Sequence, residues 1–519
     1  MASRGNPSFF RTVIVSSGSK SRLAALVFLS FIFLVASSLF SSSLRSPLTK
    51  PNVVVPEHSF VKSLQRFMLE HAPPRSTEAH GVATSLGEMQ DMERTQDEKS
   101  MLPIQKIKDL DSAIAEGESL DLLRVWGLNR PLRVYVYEMP RKFTYDLLRL
   151  FLDTYEETSN LTSNGSPVHR LIEQHSVDYW LWADLLAPES ERLVKTVVRV
   201  FEQAEADVFY IPFFTTISFF LLEKPQRSLL YREALDWVTR QPAWQRSGGR
   251  DHVLPVHHPW SFKSHRRFMK RAIWLLPDLD STGNWYKPGE VSLEKDVVLP
   301  YVPNVEVCND QCLVRQATIR ETLLFFRGRL KRNAGGKVRS KLTVVLKDEP
   351  GVVMVEGSTG EAGRIAAQSG MRSSVFCLNP AGDTPSSARL FDAVVSGCIP
   401  VIVSDELEPP FEGILDYRKI AIFVSSAQAV QPGWLVKHLQ SISSTQVKEM
   451  QFQLAKFSKH FEYAFPAQPL GPEDLCWRMI AGKVVLMKLH IRRSQRVVEG
   501  SRDVCTCDCR NGNRTSSVH

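Results

Sequence analysis

Residues 373–411 read SSVFCLNPAGDTPSSARLFDAVVSGCIPVIVSDELEPPF. The apolar run Ser374–Leu378 predicts a buried strand. Thr384 and the proline that follows it predict the cap and first position of a helix, and Gly397 predicts its end. Pro400–Val403 predicts the next strand. Strand, turn, helix and strand in this order are typical of a parallel α/β sheet.

The turn between this strand and helix is a candidate anion site. In a parallel sheet such a turn lies at the carboxyl edge, and the first amides of the helix are unpaired. Gly382, Ser386 and Ser387 lie in or beside the turn. Arg389 and Asp392 are three residues apart and share one helix face. A guanidinium suits phosphate oxygens and a carboxylate suits ribose hydroxyls, although a surface ion pair explains the same spacing.

Short apolar runs on both sides of this stretch predict further strands. A first series is LRVYVYEM from Leu132, Asp207–Phe213, His252–Val256, Ala272–Leu276 and Asp296–Pro300. A second series is Thr322–Phe326, Leu342–Leu346, Val352–Val355, Ser374–Leu378, Pro400–Val403 and Ile420–Val424. We therefore predict two doubly wound, Rossmann-like α/β lobes facing a cleft, at 129–318 and 319–475. A helix and a cysteine-rich tail follow at 476–519.

The N-terminal region predicts a membrane anchor. Residues 23–40 carry no charge and follow a basic head, which predicts a cytosolic tail at 1–22 and a transmembrane signal anchor. A cleaved signal peptide is the alternative. Residues 41–128 are polar and predict a stem. These features favour a single-pass type II protein of the Golgi membrane with a luminal catalytic domain.

Sequons and cysteines agree with the lumen. Asn160, Asn164 and Asn513 each begin a glycosylation sequon. The eight cysteines include no CxxC pair, so disulfides are favoured over a zinc site, with their pairing left open.

Composition limits the class of protein. With 43% apolar and 23% charged residues the chain is not disordered throughout. The net charge is +8, but four of the positive residues lie before the predicted anchor and no nucleic-acid-reading motif accompanies the rest. We therefore expect no nucleic-acid partner.

Separated motifs recur in order along the predicted lobes. They read RVYVYEMPRKFTYDL at 133, IEQHS at 172, ADVFYIPFF at 206, GRDHVLP at 249, TLLFFRG at 322 and FCLNPAGDTPSSARLFD at 376. The set resembles the exostosin family, glycosyltransferase family 47, and most closely its plant ARABINAN DEFICIENT branch.

The resemblance implies a GT-B fold with an N-terminal acceptor lobe and a C-terminal nucleotide-sugar lobe. It implies an inverting transferase that uses a UDP-sugar donor without a metal or other cofactor. Arg389 and Asp392 become expected donor contacts, with Arg327 a third. Asp278-Leu-Asp280 resembles a metal-binding DxD triplet, but it lacks other nearby ligands and is interpreted as a solvated turn.

The nearest branch implies transfer of arabinose to pectic arabinan. Other branches transfer galactose, xylose or glucuronic acid, so these sugars remain alternatives. A non-catalytic scaffold subunit of a Golgi transferase complex is a further alternative, and homo- or hetero-oligomers with other transferases stay open. A scaffold has no need of the predicted donor residues.

The general base is expected on the cleft side of the first lobe. An inverting displacement needs a carboxylate or imidazole within hydrogen-bond reach of the acceptor hydroxyl. Asp251 and His258 flank the predicted strand His252–Val256 and are the candidates, while Asp207 stays open. Either candidate is also explained as a residue that fastens a turn or lines a groove.

Overall fold

A computed structural model of the chain describes residues 57–73, 130–155, 168–279, 286–287, 289–308, 312, 320–358 and 360–496. The predicted anchor at 23–40, the three sequons and the cysteines of the tail lie outside the described residues. Among the helices that are described, none combines the length and apolar character that crossing a membrane requires.

The first sheet has six parallel strands in the order β2-β1-β3-β4-β5-β6. They are β1 Leu132–Val136, β2 Val197–Val200, β3 Val208–Tyr210, β4 His252–Pro255, β5 Ile273–Leu276 and β6 Val297–Val298. Four of the five predicted apolar runs match strands in which every residue is buried, as is typical of parallel sheets. The fifth, LRVYVYEM, forms β1, whose side chains are alternately buried and half-buried. The edge strand β2 was not predicted, because it is short and mostly half-exposed.

Helices cover this sheet. They are α1 Phe60–His71, α2 Tyr145–Thr154, α3 Val168–Glu173, α4 Val177–Leu186, α5 Thr215–Leu221, α6 Lys224–Thr239, α7 Pro242–Ser247 and α8 Lys263–Arg266, with 3-10 turns at Arg141–Phe143 and Arg267–Met269. Helix α4 is buried on all sides, with Tyr179 and Trp180 inaccessible to solvent.

Helix α1 lies within the predicted stem but packs into the first lobe. Its apolar residues recur at helical spacing on one face. The ring of Phe60 lies 5.2 Å from the rings of both Phe151 and Tyr179, and Ser63 exchanges a hydrogen bond of 2.8 Å with the Tyr179 hydroxyl. The stem boundary at 128 therefore divides residues that share one core, and the lobe begins before 129.

The second sheet has five parallel strands in the order β11-β10-β9-β7-β8. They are β7 Thr322–Arg327, β8 Val352–Val355, β9 Ser374–Pro380, β10 Ile399–Val403 and β11 Ile422–Phe423. The helices are α9 Ala334–Leu346, α10 Gly360–Arg372, α11 Ala388–Val395, α12 Ser426–Ala429, α13 Trp434–Gln440, α14 Ser444–Phe457 and α15 Pro472–Gln495, with 3-10 turns at Tyr417–Lys419 and Ser458–Phe461. The prediction of two parallel α/β sheets is confirmed.

The predicted strand Leu342–Leu346 is wrong, because these residues form the last turn of α9. Leu342 and Leu346 are buried one helical turn apart, whereas Val344 between them is 79% exposed. That pattern follows the helical period and not the two-residue period of a strand. A β-branched pair at the end of a helix misled the sequence-based assignment.

Helix α11 begins later than the sequence predicts. Its N-cap is Ser387 and not Thr384, so residues 381–387 form a loop. The loop is held by Gly382, whose amide donates to the carbonyl of Thr384 over 2.9 Å. The predicted end is confirmed, since Gly397 has a φ of 67°. A disulfide joins Cys377 in β9 to Cys398 just before β10.

Helix α15 returns to the first lobe, so the predicted boundary between 475 and 476 falls inside one helix. Trp477 packs 6.1 Å from the ring of Tyr210 in β3, and the Lys488 ammonium donates to Asp207 over 2.7 Å. Farther along, the side-chain amide of Gln495 donates to the backbone carbonyl of Arg246 over 3.1 Å. The contacts bury one face of the helix against β3 and α7.

Replacing Phe67 by Ala tests whether α1 belongs to the first lobe. Phe67 is 1% exposed, and loss of a buried aromatic ring costs about 3–5 kcal/mol of unfolding free energy. Leu69 on the same helix is 87% exposed and provides the control, for which we expect a change within about 0.5 kcal/mol. Urea unfolding of the two variants measures the difference, and equal stability would place α1 outside the core.

Candidate active site

A cavity of about 700 Å³ lies between the two lobes. Residues that directly follow strands line it: His258 after β4, Tyr301 after β6, Arg327 at the end of β7 and Gly382 after β9. The carboxyl ends of both sheets therefore face one space. This is where ligands bind in open α/β sheets.

The two sides of the cavity differ in chemistry. The side formed by the first lobe, here called the aromatic wall, comprises Phe219, Phe220, His258, Pro259 and Trp260. The side formed by the second lobe, here called the cationic wall, comprises Arg327, Arg329, Arg332, Arg339 and Arg389. Arg170 and Arg364 also line the cavity, and both pair with Glu361, while Arg332 pairs with Asp383 over 2.6 Å. Asp383 and Asp392 are the acidic residues of the lining. The cationic wall suits an anion with several oxygens, such as a diphosphate.

Arg389 is held by the backbone of β7. Its Nε donates to the carbonyl of Arg327 over 2.8 Å, and its Nη1 donates to the hydroxyl of Ser387 over 3.4 Å. Burial lowers the pKa of Arg389 and nearby Arg332 lowers it further, while Asp392 opposes the shift. A bound anion would offset the burial of this charge.

Because Gly328 has no side chain, it leaves room for the guanidinium of Arg389. A Cβ at Gly328 would lie 2.3 Å from Nε of Arg389, closer than atoms can approach. A Cβ at Gly357 would lie 3.0 Å from the Cα of Gly328, so a second glycine allows this close packing. The glycine of the TLLFFRG motif is thus explained by the side chain that covers it.

Asp392 and Ser386 contact residues of the first lobe and its connection to the second. The amide of Asn304 donates to Asp392 over 2.7 Å, and burial raises the pKa of Asp392 to about 6. Ser386 donates to Asp278 and lies 3.0 Å from the hydroxyl of Tyr301. Both predicted donor residues therefore line the cavity and also join its two sides.

The interpretation of Asp278 as part of a solvated turn is wrong. Asp278 is 1% exposed and accepts the hydroxyl of Ser386 from the other lobe. Asp280 lies outside the described residues. Within the residues that the structure describes, no group of three or more His, Cys, Asp or Glu side chains is arranged to hold a metal ion.

Arg339 supports the loop that carries Gly382. It is buried, and its Nε and Nη2 donate to the carbonyls of Ala381 and Pro380 over 2.9 and 3.1 Å. Arg327, in contrast, directs Nη2 to the hydroxyl of Ser358 over 2.8 Å at the rim of the cavity.

The two candidate bases occupy different places. Asp251 precedes β4 at the amino edge of the sheet, away from the cavity, where it accepts hydrogen bonds from Ser247 and from His252 over 2.7 Å. Such a carboxylate fastens a turn. Asp207 precedes β3 at the same edge, and its bonds to Arg130 and Lys488 draw its pKa down to about 2 against the effect of burial.

His258 lies in the cavity. Its ring is 5.0 Å from that of Phe219 and 4.8 Å from that of Phe220, and its Nδ1 is buried with no hydrogen-bond partner among the described residues. Burial, with help from His257 and Arg266, lowers the pKa of His258 to about 3. The ring is therefore neutral at physiological pH and is a weak proton acceptor.

Glu173 was missed as a candidate base. It lies in α3 between Leu171 and Gln174, which line the cavity, but it does not line the cavity itself. Its Oε2 lies 3.7 Å from the Arg170 guanidinium, and its Oε1 is buried without a hydrogen-bond partner among the described residues. Burial raises the pKa of Glu173 to about 7, although Arg170 and Arg364 oppose the shift. A carboxylate with this pKa is suited to accept a proton near neutral pH. Its position in the IEQHS motif was the available signal.

Residues 128–439 match the Exostosin GT47 domain. The chain belongs to the exostosin GT47 family. That range contains both sheets and every residue of the cationic wall.

Curated relatives of this GT47 chain are glycosyltransferases by name. It is 36% identical over 404 residues to the probable arabinosyltransferase ARAD1 of Arabidopsis thaliana, covering 75% of this chain and 86% of the relative. It is 27% identical over 399 residues to a probable glucuronoxylan glucuronosyltransferase of the same plant, covering 71% and 76%. The predictions of this family and of a glycosyltransferase are confirmed.

Among solved structures, the GT47 chain is similar to one from the crystal structure of the GtfA/B complex. The match has a TM-score of 0.28 and 12% identity, and covers 51% of this chain and 61% of that chain.

Replacing Gly328 by Ala tests the placement of Arg389. The added methyl must displace the guanidinium of Arg389. We therefore expect the KM for the nucleotide-sugar donor to rise at least about tenfold, because one charge-assisted hydrogen bond to the donor is lost. A Cβ at Gly413 would meet no atom within 4 Å, so Gly413→Ala is the control. Unchanged donor kinetics in a folded Gly328→Ala protein would contradict this role of Arg389.

Proposed function

We propose that this chain transfers arabinose from UDP-arabinose to a cell-wall polysaccharide such as pectic arabinan, with inversion at the anomeric carbon. The observation that carries the proposal is the cationic wall at the carboxyl edge of the second sheet, facing an aromatic wall on the first lobe. The choice of arabinose rests on the name of the relative that is 36% identical.

The donor binds the second lobe in this proposal, as in a GT-B arrangement. The pyrophosphate lies against the loop at Gly382, the first amides of α11 and the guanidinium of Arg389, with Arg327 at its outer side. Arginines and helix amides stabilise the leaving UDP, so transfer proceeds without a divalent metal. Ser387, the N-cap of α11, also lines the cavity, and its hydroxyl accepts a hydrogen bond from Arg389.

The proton of the acceptor hydroxyl is taken up by the first lobe. His258 lies on the cavity wall, but a pKa of about 3 makes its ring a weak base. Glu173, with a pKa raised to about 7, has the proton affinity that general base catalysis requires. We therefore propose Glu173 as the base, because its helix lines the cavity through the neighbouring residues Leu171 and Gln174, and give His258 the role of orienting the acceptor hydroxyl.

The protein is proposed to act in the Golgi lumen as a single-pass type II membrane protein. The uncharged run at 23–40 after a basic head supports the anchor. The disulfides Cys308–Cys312 and Cys377–Cys398 support an oxidising compartment.

A panel of UDP-sugars with pectic oligosaccharides tests the reaction. We expect product only with UDP-arabinose, undiminished by a chelator, and a loss of about 10²–10³ in kcat/KM for Arg389→Ala. Arg418 is exposed on a 3-10 turn outside the cavity lining, so Arg418→Ala is the matched control. Transfer of glucuronic acid or xylose instead would assign another sugar. A folded chain inactive with every donor would favour a scaffold subunit.

A pH profile tests the base. Because Glu173 must be ionised, kcat/KM is expected to fall as the pH drops below about 7, which gives the profile an acidic limb. Glu173→Gln should lower kcat by roughly 10²–10⁴ and should abolish this acidic limb. His258→Gln should keep the limb, since its ring does not titrate in that range. A profile that is flat from about one pH unit above this pKa to about two units below it would remove Glu173 from this role.

A further inference from the structure

Trp260 is an exposed aromatic side chain inside a functional cavity. Among the tryptophans in the part of the chain that the structure describes, it alone is exposed, at 49%. Trp180, Trp274 and Trp477, in contrast, are fully buried. Solvation of a large apolar ring is unfavourable, and an exposed one beside a cavity is typical of a binding surface.

The surroundings of Trp260 suit a sugar ring. Phe219 and Phe220 lie on the same wall and are half-buried. A sugar ring has faces made of C–H bonds, which pack on an aromatic face, and an edge of hydroxyls, which need hydrogen-bond partners. The Lys263 ammonium lies over one face of the Trp260 ring, 4.4 Å from its centre, and the Arg227 guanidinium lies over the ring of Phe219 at 4.6 Å. A sugar ring would therefore pack on the face of Trp260 opposite Lys263, within the 49% of this residue that is exposed.

The aromatic wall is not suited to the donor diphosphate. Anionic oxygens are served by the cationic wall on the opposite lobe. His258 contacts Phe219 and Phe220 at the inner end of the aromatic wall, and the more exposed Trp260 follows it by two residues. A polysaccharide whose reacting end lies near His258 would therefore extend outward over Trp260.

We propose that Trp260, with Phe219 and Phe220, forms an acceptor subsite that stacks sugar units of the polysaccharide outside the point of transfer. The proposal rests on the proposed function for the reaction, but the subsite itself binds an oligosaccharide whether or not a donor is present. It adds affinity only for acceptors long enough to reach Trp260.

Binding of linear arabinan oligosaccharides of increasing length to the purified full chain, without donor, tests the subsite. Calorimetry should show affinity rising with length in the wild type. Trp260→Ala should weaken binding of the long oligosaccharides by roughly five- to tenfold while leaving the shortest unchanged. Trp260→Tyr, which keeps an aromatic face, should recover most of the affinity.

Phe268 provides the matched control. It is also an exposed aromatic residue of the first lobe with a cation beside it, the Arg267 guanidinium at 4.7 Å, but it does not line the cavity. Phe268→Ala should bind every oligosaccharide as the wild type does. UDP affinity, measured in parallel, should be unchanged in both alanine variants because Trp260 lies on the wall opposite Arg389.

The outcomes separate the subsite from the reaction. Equal affinity of wild type and Trp260→Ala at every length, or no dependence on length in the wild type, overturns the subsite even if arabinose is transferred. Length-dependent binding that Trp260→Ala abolishes supports the subsite even if UDP-arabinose proves not to be the donor.

Discussion

The contact between the Arg389 guanidinium and the backbone at the end of β7 determines how the cavity is built. The guanidinium can approach the Arg327 carbonyl only because Gly328 has no side chain, and Gly328 in turn packs against Gly357. This half-buried cation is held by a carbonyl and a hydroxyl and not by a direct ion pair, although Asp392 opposes the lowering of its pKa. The other arginines of the cationic wall add positive charge on the same side of the cavity, so the second lobe attracts an anion without first having to rearrange.

The first lobe completes the site through polar contacts that cross between the lobes. Asp278 accepts the hydroxyl of Ser386, and the amide of Asn304 donates to Asp392. Both acceptors are buried carboxylates, whose interactions are stronger in a low-dielectric setting than in water. The loop before α11 is therefore positioned by residues from both sides of the cavity. Loss of one cross-lobe contact would alter the donor loop as well as the junction.

The sheets could be predicted from sequence because buried parallel strands are continuous apolar runs, as in Ser374–Leu378. The same rule failed for Leu342–Leu346, where the buried residues follow a helical period that a five-residue window cannot reveal. Helix α1 was not predicted either, because its apolar face lies within a region whose sequence is otherwise polar. Local signals identified the turn at Gly382, but the start of α11 was displaced because the loop makes its own hydrogen bonds.

The candidate site was only partly accessible from sequence. Arg389 and Asp392 were found because their spacing on one helix is a local property. Asp278 and Glu173 were not recognised, because the burial that alters their chemistry depends on distant segments. Asp251 lies next to β4 in sequence, yet the direction of that strand puts it at the opposite edge from the cavity.

The paths of α1 and α15 have a consequence for motion. Both helices pack on the first lobe, so the described chain starts and finishes on the same body, with the second lobe inserted between. Opening and closing around a substrate would be resisted by the polar contacts that cross the cavity and by the apolar core that joins the lobes, where the ring of Phe391 lies 5.9 Å from that of Tyr301.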